Sequence, residues 1–432
     1  MDVLAEHRRV FVLGHGVGGE TWLQALRGAG LDAQAAPAQA DALTYFEALS
    51  ALAQERACAL LVVHDASAHA GQRPSMAELA ALGPAWGWRR VNTEGAPLLL
   101  LRGPGPHPRL RWLNEGDASA MRSLFHRIFG HEMSAELWDW KYGSGRGMGL
   151  GWWLDGELLA HYGGTSRTVH VFGQPMLACQ VCDVMVDSKA RAALVRRGPL
   201  AKLTEVFLHT RVGHERSHPI AFGFPSVRHH GVGRAVGLYE AVDEMVCVSW
   251  LGPTPGGRSD WRWRARRLDP SSLRQGSADW QGLQRLWQRM ASAFTASLVG
   301  ERSAAWVHRR YGLRPEVRYE LLMVSSRLTR RTLGAVVLRA HADHVEILDL
   351  IAAPRSFGTL IRAARQHAFV AGFTQCQAWV TASHAHLLAQ GSEPTQTLPL
   401  GITVPAAAHA RALPAARFKQ AWFLMAGDTD FR

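Results

Sequence analysis

A strand, a basic turn and a helix follow one another between Cys179 and His209, and this segment constrains the fold more than any other. Residues 181–186 read VCDVMV, an apolar run that predicts a buried strand, and residues 200–209 predict a helix. The turn between them, 187–199, is rich in small and basic residues. A strand that leads into a helix through a short turn is typical of α/β folds.

The turn is suited to a pyrophosphate group. The first backbone N–H groups of a helix have no partner within the helix, and the helix dipole favours negative charge there. Arg191, Arg196 and Arg197 add guanidinium groups, whose donors match the geometry of phosphate oxygens. The alternative is an ordinary connection between a strand and a helix, with solvated arginines, and the turn alone does not separate the two.

At these residues the sequence resembles the GNAT N-acyltransferase family, which binds acetyl-CoA on a strand, loop and helix of this kind. The family loop reads roughly Gln/Arg-x-x-Gly-x-Gly/Ala, and Arg191 stands at its first position. Leu194 and Arg196 replace the two glycines, and Gly198 lies two residues further on. Because glycine lets a backbone approach a ligand closely, the loop either has a shifted register or binds acyl-CoA poorly.

The pattern from Leu110 to Trp250 matches a whole module of this family in order. Two helices are predicted first, and then strands joined by the turns 155–156 and 173–175. Four short phrases look like those of a bacterial branch that often accompanies surface-polysaccharide genes, namely WKYG (140–143), AHYGG (160–164), DVMVD (183–187) and FGFP (222–225). The resemblance covers about a third of the chain and is a resemblance to the family as a whole.

The resemblance implies an acyl-CoA-dependent N-acyltransferase, with acetyl-CoA or another acyl-CoA as co-substrate and no metal. It implies transfer of acetyl to an amine of a sugar or another small metabolite, by direct attack on the thioester. In the family, a backbone N–H of the strand before the loop reaches the thioester oxygen, which here points to Met185 or Val186. The residues expected to bind the cofactor are Met185, Val186, Arg191, Val195, Arg196, Arg197 and Gly198.

Four side chains are candidates for the proton transfers that such a reaction needs. Asp183 lies on the strand before the loop, where burial would raise its pKa toward that of a base; a satisfied structural Asp is the alternative. His161 lies on the neighbouring strand, and His229 starts the helix after FGFP together with His230. Tyr239 lies near the place where the family often keeps a general-acid Tyr, although that Tyr usually precedes the glycine.

Length and charge limit the classes of protein. At 432 residues, of which 47% are hydrophobic, the chain predicts two or three folded domains. We find neither a long uncharged apolar run nor a signal-peptide pattern in MDVLAEHRRVFVLGHG, so we expect a cytoplasmic protein with no membrane span. The net charge of +12 is spread along the chain, and residues 261–267 favour an alternating strand with one buried face. We therefore expect no nucleic-acid partner.

The five cysteines predict neither a metal nor a redox site. The chain has one CxxC, at Cys179 and Cys182, and no second pair. We place this CxxC in a strand, where residues three apart point to opposite faces. Structural thiols are therefore predicted, in place of zinc or redox chemistry.

The first predicted domain is 1–105, a small Rossmann-like α/β domain. Its strands alternate with helices, which predicts a parallel sheet. Gly14-x-Gly16-x-x-Gly19 matches a dinucleotide fingerprint, but the acidic residue that this motif expects near the end of the next strand is not evident. We therefore favour a degenerate scaffold domain over a working cofactor site.

Two further domains follow, and both resemble the GNAT fold, with mixed sheets flanked by helices. Residues 106–252 form the predicted acyltransferase domain with the acyl-CoA loop. Residues 253–432 form a second, degenerate GNAT-like domain, with strands at 319–325, 333–339 and 345–351, in which the stretch 353–358 replaces the loop. We expect this domain to shape the acceptor cleft.

The acceptor and the donor both leave alternatives open. Asp428 and Asp430, in a phrase that looks like the C-terminal signature of the same branch, either bind a cationic acceptor or cap and pair with a final strand. A carrier-protein thioester is an alternative donor, since an acidic carrier protein docks on a basic surface. A non-catalytic scaffold that binds a nucleotide-sugar or another ligand is a third reading, and the missing loop glycines support it.

Overall fold

The computed structural model describes thirteen stretches of the chain, namely 9–13, 23–28, 32–35, 59–63, 79, 88–90, 98–102, 108–192, 198–213, 216–252, 261–389, 393–408 and 413–432. The chain divides into two compact units. The first comprises Met1–Met133, Met148–Gly163 and Asp183–Thr210, and the second comprises Ser134–Gly147, Gly164–Cys182 and Arg211–Arg432. The predicted division into three domains stays a prediction.

The strands in chain order are β1 (Arg9–Leu13), β2 (Asp32–Ala35), β3 (Ala59–Val63), β4 (Trp88–Arg90), β5 (Leu98–Arg102), β6 (Arg109–Trp112), β7 (Gly147–Leu154), β8 (Glu157–Val171), β9 (Gln174–Val186), β10 (Ile220–Gly223), β11 (Tyr239–Leu251), β12 (Trp263–Leu268), β13 (Leu298–Gly300), β14 (Glu320–Ser326), β15 (Thr332–Ala340), β16 (Val345–Ile351), β17 (Gln375–Thr381), β18 (Gln396–Ala407) and β19 (Trp422–Phe423). The α-helices are α1 (Ala118–Phe129), α2 (Ala135–Tyr142), α3 (Ser188–Ala192), α4 (Pro199–Arg211), α5 (Val227–Ala235), α6 (Ala278–Ala293), α7 (Ala304–Val307) and α8 (Phe357–Val370). Residues 23–28 are also helical. Across the described residues, every helix is too short or too polar to cross a membrane.

The first unit contains a five-stranded sheet in the order β2-β1-β3-β5-β4. β2, β1 and β3 are parallel, whereas β5 is antiparallel to β3 and to β4. The sheet thus departs from the parallel one predicted here, because the connection 91–97 is too short for the helical crossover that parallel neighbours need. The Rossmann-like assignment stays a prediction, and the glycine motif at 14–19 lies outside the described residues.

Elsewhere in the first unit, helices pack on the sheet formed by β6, β7 and the start of β8. The ring of Phe207 on α4 lies 4.8 Å from that of Tyr162 on β8 and 5.5 Å from that of Trp112 on β6, measured between centroids. Nη2 of Arg127 on α1 donates to the carbonyl oxygen of Leu158 on β8 at 3.0 Å. Burial of large side chains such as Phe207 stabilises a fold by about 1.5–3 kcal/mol each, so α4 is firmly held on its sheet.

The second unit is built on a sheet in the order β12-β14-β15-β16-β17-β11-β18-β10-β9-β8-β13-β19, to which β8 and β9 contribute residues 164–171 and 174–182. The pairs β16–β17, β9–β10 and β13–β19 are parallel. Along β14, Leu321 and Met323 belong to one buried apolar cluster and Leu322 and Val324 to another. Since successive residues of a strand point to opposite faces, the sheet is buried on both sides.

The stretch 261–267 forms an edge of this sheet. Among the described strands, β12 pairs only with β14. Trp263 is buried, whereas the residues from Arg264 to Arg267 are exposed. The predicted strand is present, but the alternation with one buried face is not. An edge strand has one neighbour only, and charged side chains along it discourage pairing with a second chain.

Arg302 joins two carboxylates inside the second unit. Its Nε donates to Oδ1 of Asp349 at 2.6 Å and its Nη2 to Oδ2 of Asp428 at 2.5 Å, and all three side chains have no exposed surface. Arg167 donates from Nη2 to the other oxygen of Asp428 at 3.0 Å. Burial alone would raise the pKa of Asp428, but the guanidinium groups of Arg302 and Arg167 hold that pKa below its ordinary value.

We expect Arg302→Met to lower the free energy of unfolding by about 3–5 kcal/mol, because the substitution leaves the buried carboxylate of Asp349 without a cation and leaves Asp428 with Arg167 alone. Urea denaturation followed by tryptophan fluorescence measures this loss. Arg331→Met, at an exposed position, is the matched control and should change stability by no more than about 0.5 kcal/mol. Equal effects of the two substitutions would contradict this account of the cluster.

Candidate active site

β9 is bent at Asp183, one of the predicted catalytic residues. The φ angle of Asp183 is 47°, in the left-handed region that residues other than glycine seldom adopt, Asp and Asn being among the exceptions. The backbone oxygen of Asp183 lies 2.7 Å from Nδ1 of His161. A carbonyl oxygen can only accept a hydrogen bond, so Nδ1 is the protonated nitrogen of this imidazole. Strained backbone of this kind clusters at functional sites.

The structure therefore brings Asp183 and His161 together, and the contact joins the backbone oxygen of Asp183 to the ring of His161. His161 is fully buried, and Gly149 on β7 makes room for it. A Cβ atom added at Gly149 would lie 2.4 Å from Nε2 of His161, well inside normal contact. Sequence reasoning missed Gly149, since Gly147 and Gly151 stand two positions away on either side and no local pattern distinguishes the three.

Asp187 directly follows the last residue of β9. Sequence analysis did not single it out as a functional residue. Its Oδ1 accepts from the backbone N–H of Lys189 at 3.0 Å, and its Oδ2 accepts from Nε of Arg127 at 2.9 Å. The N–H of Lys189 lowers the pKa of Asp187 most, burial opposes it, and Arg127 lowers the pKa further. Asp187 thus starts α3 at a defined place.

The structure describes only some of the residues predicted to bind the cofactor. Met185 is buried and Val186 is half-buried at the end of β9. Arg191 belongs to α3, but its side chain is outside the described residues, as are Val195, Arg196 and Arg197. Gly198 is exposed, and its carbonyl oxygen accepts from the N–H of Lys202 at 3.3 Å. This bond starts α4, with Pro199 at its first position, where proline is favoured.

The other two predicted catalytic residues lie in the second unit. His229 is exposed in the first turn of α5, and its N–H lies 3.5 Å from Oγ of the N-cap residue Ser226. Tyr239 is half-buried at the start of β11, and Gly233 on α5 leaves space for its ring, since a Cβ there would lie 2.0 Å from it. The ring of Tyr239 is therefore packed closely against α5, while its side chain is still partly accessible.

The cysteines of the CxxC are both buried in β9. Burial raises the pKa of Cys179 to about 12, and Sγ of Cys182 lies 3.5 Å from the hydroxyl of Tyr142. A thiol with so high a pKa is a poor nucleophile at neutral pH. This environment fits the structural role predicted for Cys179, and the same role for Cys182 stays a prediction.

A cleft of about 290 Å³ lies within the second unit. Trp140 and Trp306 contribute aromatic rings to its lining. Hydroxyl groups are the commonest polar feature of the lining, and they belong to Thr165, Ser166, Thr168, Ser303 and Thr429. Such a mixture of aromatic faces and polar groups is typical of small-molecule sites.

The chain segment 427–430 forms part of this cleft, and buried side chains hold it in place. Nε2 of Gln180 donates to the backbone oxygen of Asp428 at 2.6 Å, and Nη2 of Arg310 donates to that of Thr429 at 3.0 Å. Asp430 pairs with Nζ of Lys141 at 2.7 Å. We considered two roles for Asp428 and Asp430, namely binding a cationic acceptor and forming structural caps or ion pairs. The structure contains the ion pairs, and both residues also line the cleft.

A buried histidine adjoins the cleft. Nε2 of His218 lies 2.9 Å from the hydroxyl of Ser166, which lines the cleft, and Nδ1 lies 2.9 Å from the hydroxyl of Ser217. Burial lowers the pKa of His218, because a low-dielectric surrounding disfavours the imidazolium form. His218 therefore remains neutral at neutral pH and holds Ser166 by a hydrogen bond.

Comparison with known proteins agrees with this architecture. Residues 109–235 match the model of the acetyltransferase (GNAT) domain family. A conserved protein of unknown function from Enterococcus faecalis V583, described as a probable N-acyltransferase, is 14% identical with a TM-score of 0.54, over 70% of this chain and 72% of that one. A GCN5-related N-acetyltransferase from Anabaena variabilis ATCC 29413 is 10% identical with a TM-score of 0.50, over 69% and 72%. No curated protein matches the sequence.

We expect the free energy of unfolding of the wild type to decrease as the pH falls below about 6.5. The decrease should be smaller in His218→Gln. The folded-state pKa of His218 is lowered, so its contribution is present above the unfolded-state pKa of about 6.5 and is lost toward the lowered value. The measurement is the urea midpoint of both proteins at about pH 7.5 and pH 5.5. His126→Gln, at an exposed position, should keep the wild-type dependence; the same dependence in all three proteins would contradict the assignment.

Proposed function

We propose that the chain is an acyltransferase that transfers an acyl group from acyl-CoA to the amine of a small acceptor, because residues 109–235 match the acetyltransferase (GNAT) domain family. Acetyl-CoA is the proposed donor, and an amino sugar or another small amine is the proposed acceptor. The observation that carries the proposal is the family match itself. It spans β6 to α5 and so includes β9, the loop after it and α4.

The proposed donor site is the end of β9 with the loop that follows. The bend at Asp183 supports this placement, because it interrupts the regular strand two residues before Met185. The N–H of Met185 or Val186 would donate to the thioester oxygen, on which negative charge develops in the transition state. Arg191, Val195, Arg196, Arg197 and Gly198 would hold the pyrophosphate.

The proposed reaction is one direct displacement. The acceptor nitrogen attacks the thioester carbon, the carbon–sulfur bond breaks, and the CoA thiolate leaves. The nitrogen gives up a proton to a base, and the thiolate receives one from an acid. Asp183 is the proposed base, His161 positions it through the Asp183 carbonyl, and Tyr239 is the proposed acid. His229 remains a second candidate for proton transfer, since its imidazole is exposed.

The cleft of the second unit is the proposed acceptor site. Its hydroxyl groups and tryptophan rings support a polyhydroxy acceptor such as a sugar, since sugars offer apolar faces and many hydrogen-bonding groups. Asp430 supports an acceptor that carries an amine, because a carboxylate attracts the ammonium form. Binding there would compete with the Lys141–Asp430 ion pair.

We also propose that residues 253–432 are a second GNAT-like domain. The order β9, α4, β10 in the first module, with β9 parallel to β10, recurs as β16, α8, β17, with β16 parallel to β17. In both cases antiparallel strands precede the parallel pair along the chain. The recurrence of this order supports tandem modules.

A carrier-protein thioester is the second candidate donor. The observation that favours it is the net charge of +12, since acyl carriers are acidic and charge complementarity speeds association. Binding of an acylated carrier, without binding of acetyl-CoA, would select this alternative.

We expect the full-length protein to bind acetyl-CoA at micromolar concentration in a calorimetric titration, and Arg196→Ala/Arg197→Ala to bind at least about tenfold more weakly. The reason is the loss of two charge-assisted contacts to the pyrophosphate. Arg264→Ala/Arg331→Ala, which removes two exposed arginines elsewhere, is charge-matched and should bind like wild type. Absence of binding by the wild type would refute the acyl-CoA donor.

We expect Asp183→Asn to lower the rate of CoA release about 10²- to 10⁴-fold without weakening acetyl-CoA binding. Asparagine tolerates a positive φ nearly as well as aspartate, so this variant keeps the bend and removes the base. Thiol release is measured with a panel of amines that includes amino sugars. An unchanged rate with an acceptor that the wild type uses would show that Asp183 is structural.

A further inference from the structure

Most charged side chains that line the cleft of the second unit already have partners. Lys141 pairs with Asp430 at 2.7 Å, and Arg167 pairs with Asp428 at 3.0 Å. Arg310 donates to backbone oxygens of the segment 427–430. The described lining contains one further carboxylate and one further guanidinium group.

The further carboxylate belongs to Glu301, which is half-buried and directly follows β13. Its backbone N–H donates to the oxygen of Thr168 on β8 at 2.9 Å. No described cation forms an ion pair with its side chain. Burial lowers the pKa of His170 against the charge of Glu301, so that imidazole is neutral at neutral pH. Glu301 therefore presents an unpaired negative charge to the cleft.

The further guanidinium group belongs to Arg309, an exposed residue in the turn that follows α7. Partial desolvation of its charged end and the neighbouring charge of Arg146 lower the pKa of Arg309. Both causes disfavour the cation, and no carboxylate of the described chain pairs with it. An anion bound at Arg309 would compensate both effects.

Arg167 adds an unfilled donor at the same cleft. The residue is 6% exposed, and its Nη1 has no hydrogen-bond partner in the part of the chain that the structure describes. The ring of Trp306, which also lines the cleft, lies 3.9 Å from Cζ of Arg167 and stacks on the guanidinium group. Because buried polar atoms are nearly always hydrogen-bonded, this donor points to an acceptor atom that a ligand supplies.

We propose that the cleft binds an acceptor that carries both an amine and a carboxylate, namely an amino sugar acid. Glu301 binds the ammonium form of the amine, and Arg309 binds the carboxylate together with Nη1 of Arg167. No ion pair joins Glu301 to Arg309, so the two charges are separated, as are those of such a molecule. The inference rests on the proposed acceptor site and deepens it, since Glu301, unlike Asp430, has no ion pair to give up.

The anionic group fits a carboxylate better than a phosphate. Outside the existing ion pairs, the positive charge that the cleft offers is that of Arg309, and one carboxylate balances it. A phosphate ester carries a charge of about −1.5 to −2 at neutral pH, and the excess would be repelled by Glu301. The cleft volume of about 290 Å³ is close to the lower end of the range for small-molecule sites, which suits a monosaccharide.

The test is a calorimetric titration of the full-length protein, without an acyl donor, with three sugars that differ in their charged groups. Glucosaminuronic acid carries the amine and the carboxylate, glucosamine the amine alone, and glucuronic acid the carboxylate alone. We expect glucosaminuronic acid to bind at least about tenfold more tightly than either of the others. Equal binding of the three sugars by the wild type would overturn the proposal.

Two variants assign each charge to its residue. Arg309→Gln should weaken the binding of glucosaminuronic acid and glucuronic acid at least about tenfold and leave that of glucosamine unchanged. Glu301→Gln should weaken glucosaminuronic acid and glucosamine and leave glucuronic acid unchanged. Arg264→Gln and Glu244→Gln, at exposed positions elsewhere, are matched controls and should leave all three affinities unchanged.

Neither side chain belongs to the buried cluster around Arg302, so both variants should keep the wild-type circular dichroism and urea midpoint. Equal weakening of all three sugars by either variant would contradict the assignment. Tighter binding of L-serine than of glucosaminuronic acid would identify an amino acid as the source of the two groups, and tighter binding of a phosphate ester of glucosamine would overturn the carboxylate. Failure of the acyl-transfer proposal appears separately, as absence of acetyl-CoA binding by the wild type.

Discussion

The guanidinium group of Arg302 has no exposed surface, and the arrangement of the second unit depends on its two carboxylate partners. It fixes β16 through Asp349 and the segment 427–430 through Asp428. Replacing buried ion pairs by apolar residues is often neutral or stabilising, so we infer that this cluster provides geometry more than net stability. In the observed arrangement, the single guanidinium group of Arg302 pairs with both carboxylates.

The cleft follows from that constraint. Once Asp428 is held by Arg302 and Arg167, the neighbouring peptide groups are in reach of Gln180 and Arg310, which satisfy their oxygens. The backbone of the segment is thereby fixed without help from solvent. A wall built in this way can present Asp430 and Thr429 to a ligand with little motion, which is the kind of preorganisation that binding sites need.

Much of the fold could be predicted from the sequence, because strands such as β14, β15 and β16 are apolar runs between turn residues. β18 was missed, since Pro399, Gly401 and Pro405 break its pattern, although it pairs with both β10 and β11. At the site, residue types indicated Asp183 and His161, but a ring bonded to a backbone oxygen leaves no sequence pattern. Arg302 and Asp428 are 126 positions apart, so no local spacing could connect them.

The bend of β9 has a consequence for how this position tolerates change. At Asp183 the backbone demands a conformation that glycine adopts without strain, whereas the proposed chemistry demands a carboxylate. The backbone conformation therefore favours glycine at this position, whereas the proposed chemistry favours aspartate. A library randomised at this codon and selected only for folded protein would therefore accumulate glycine and asparagine, whereas one selected for turnover would return to aspartate.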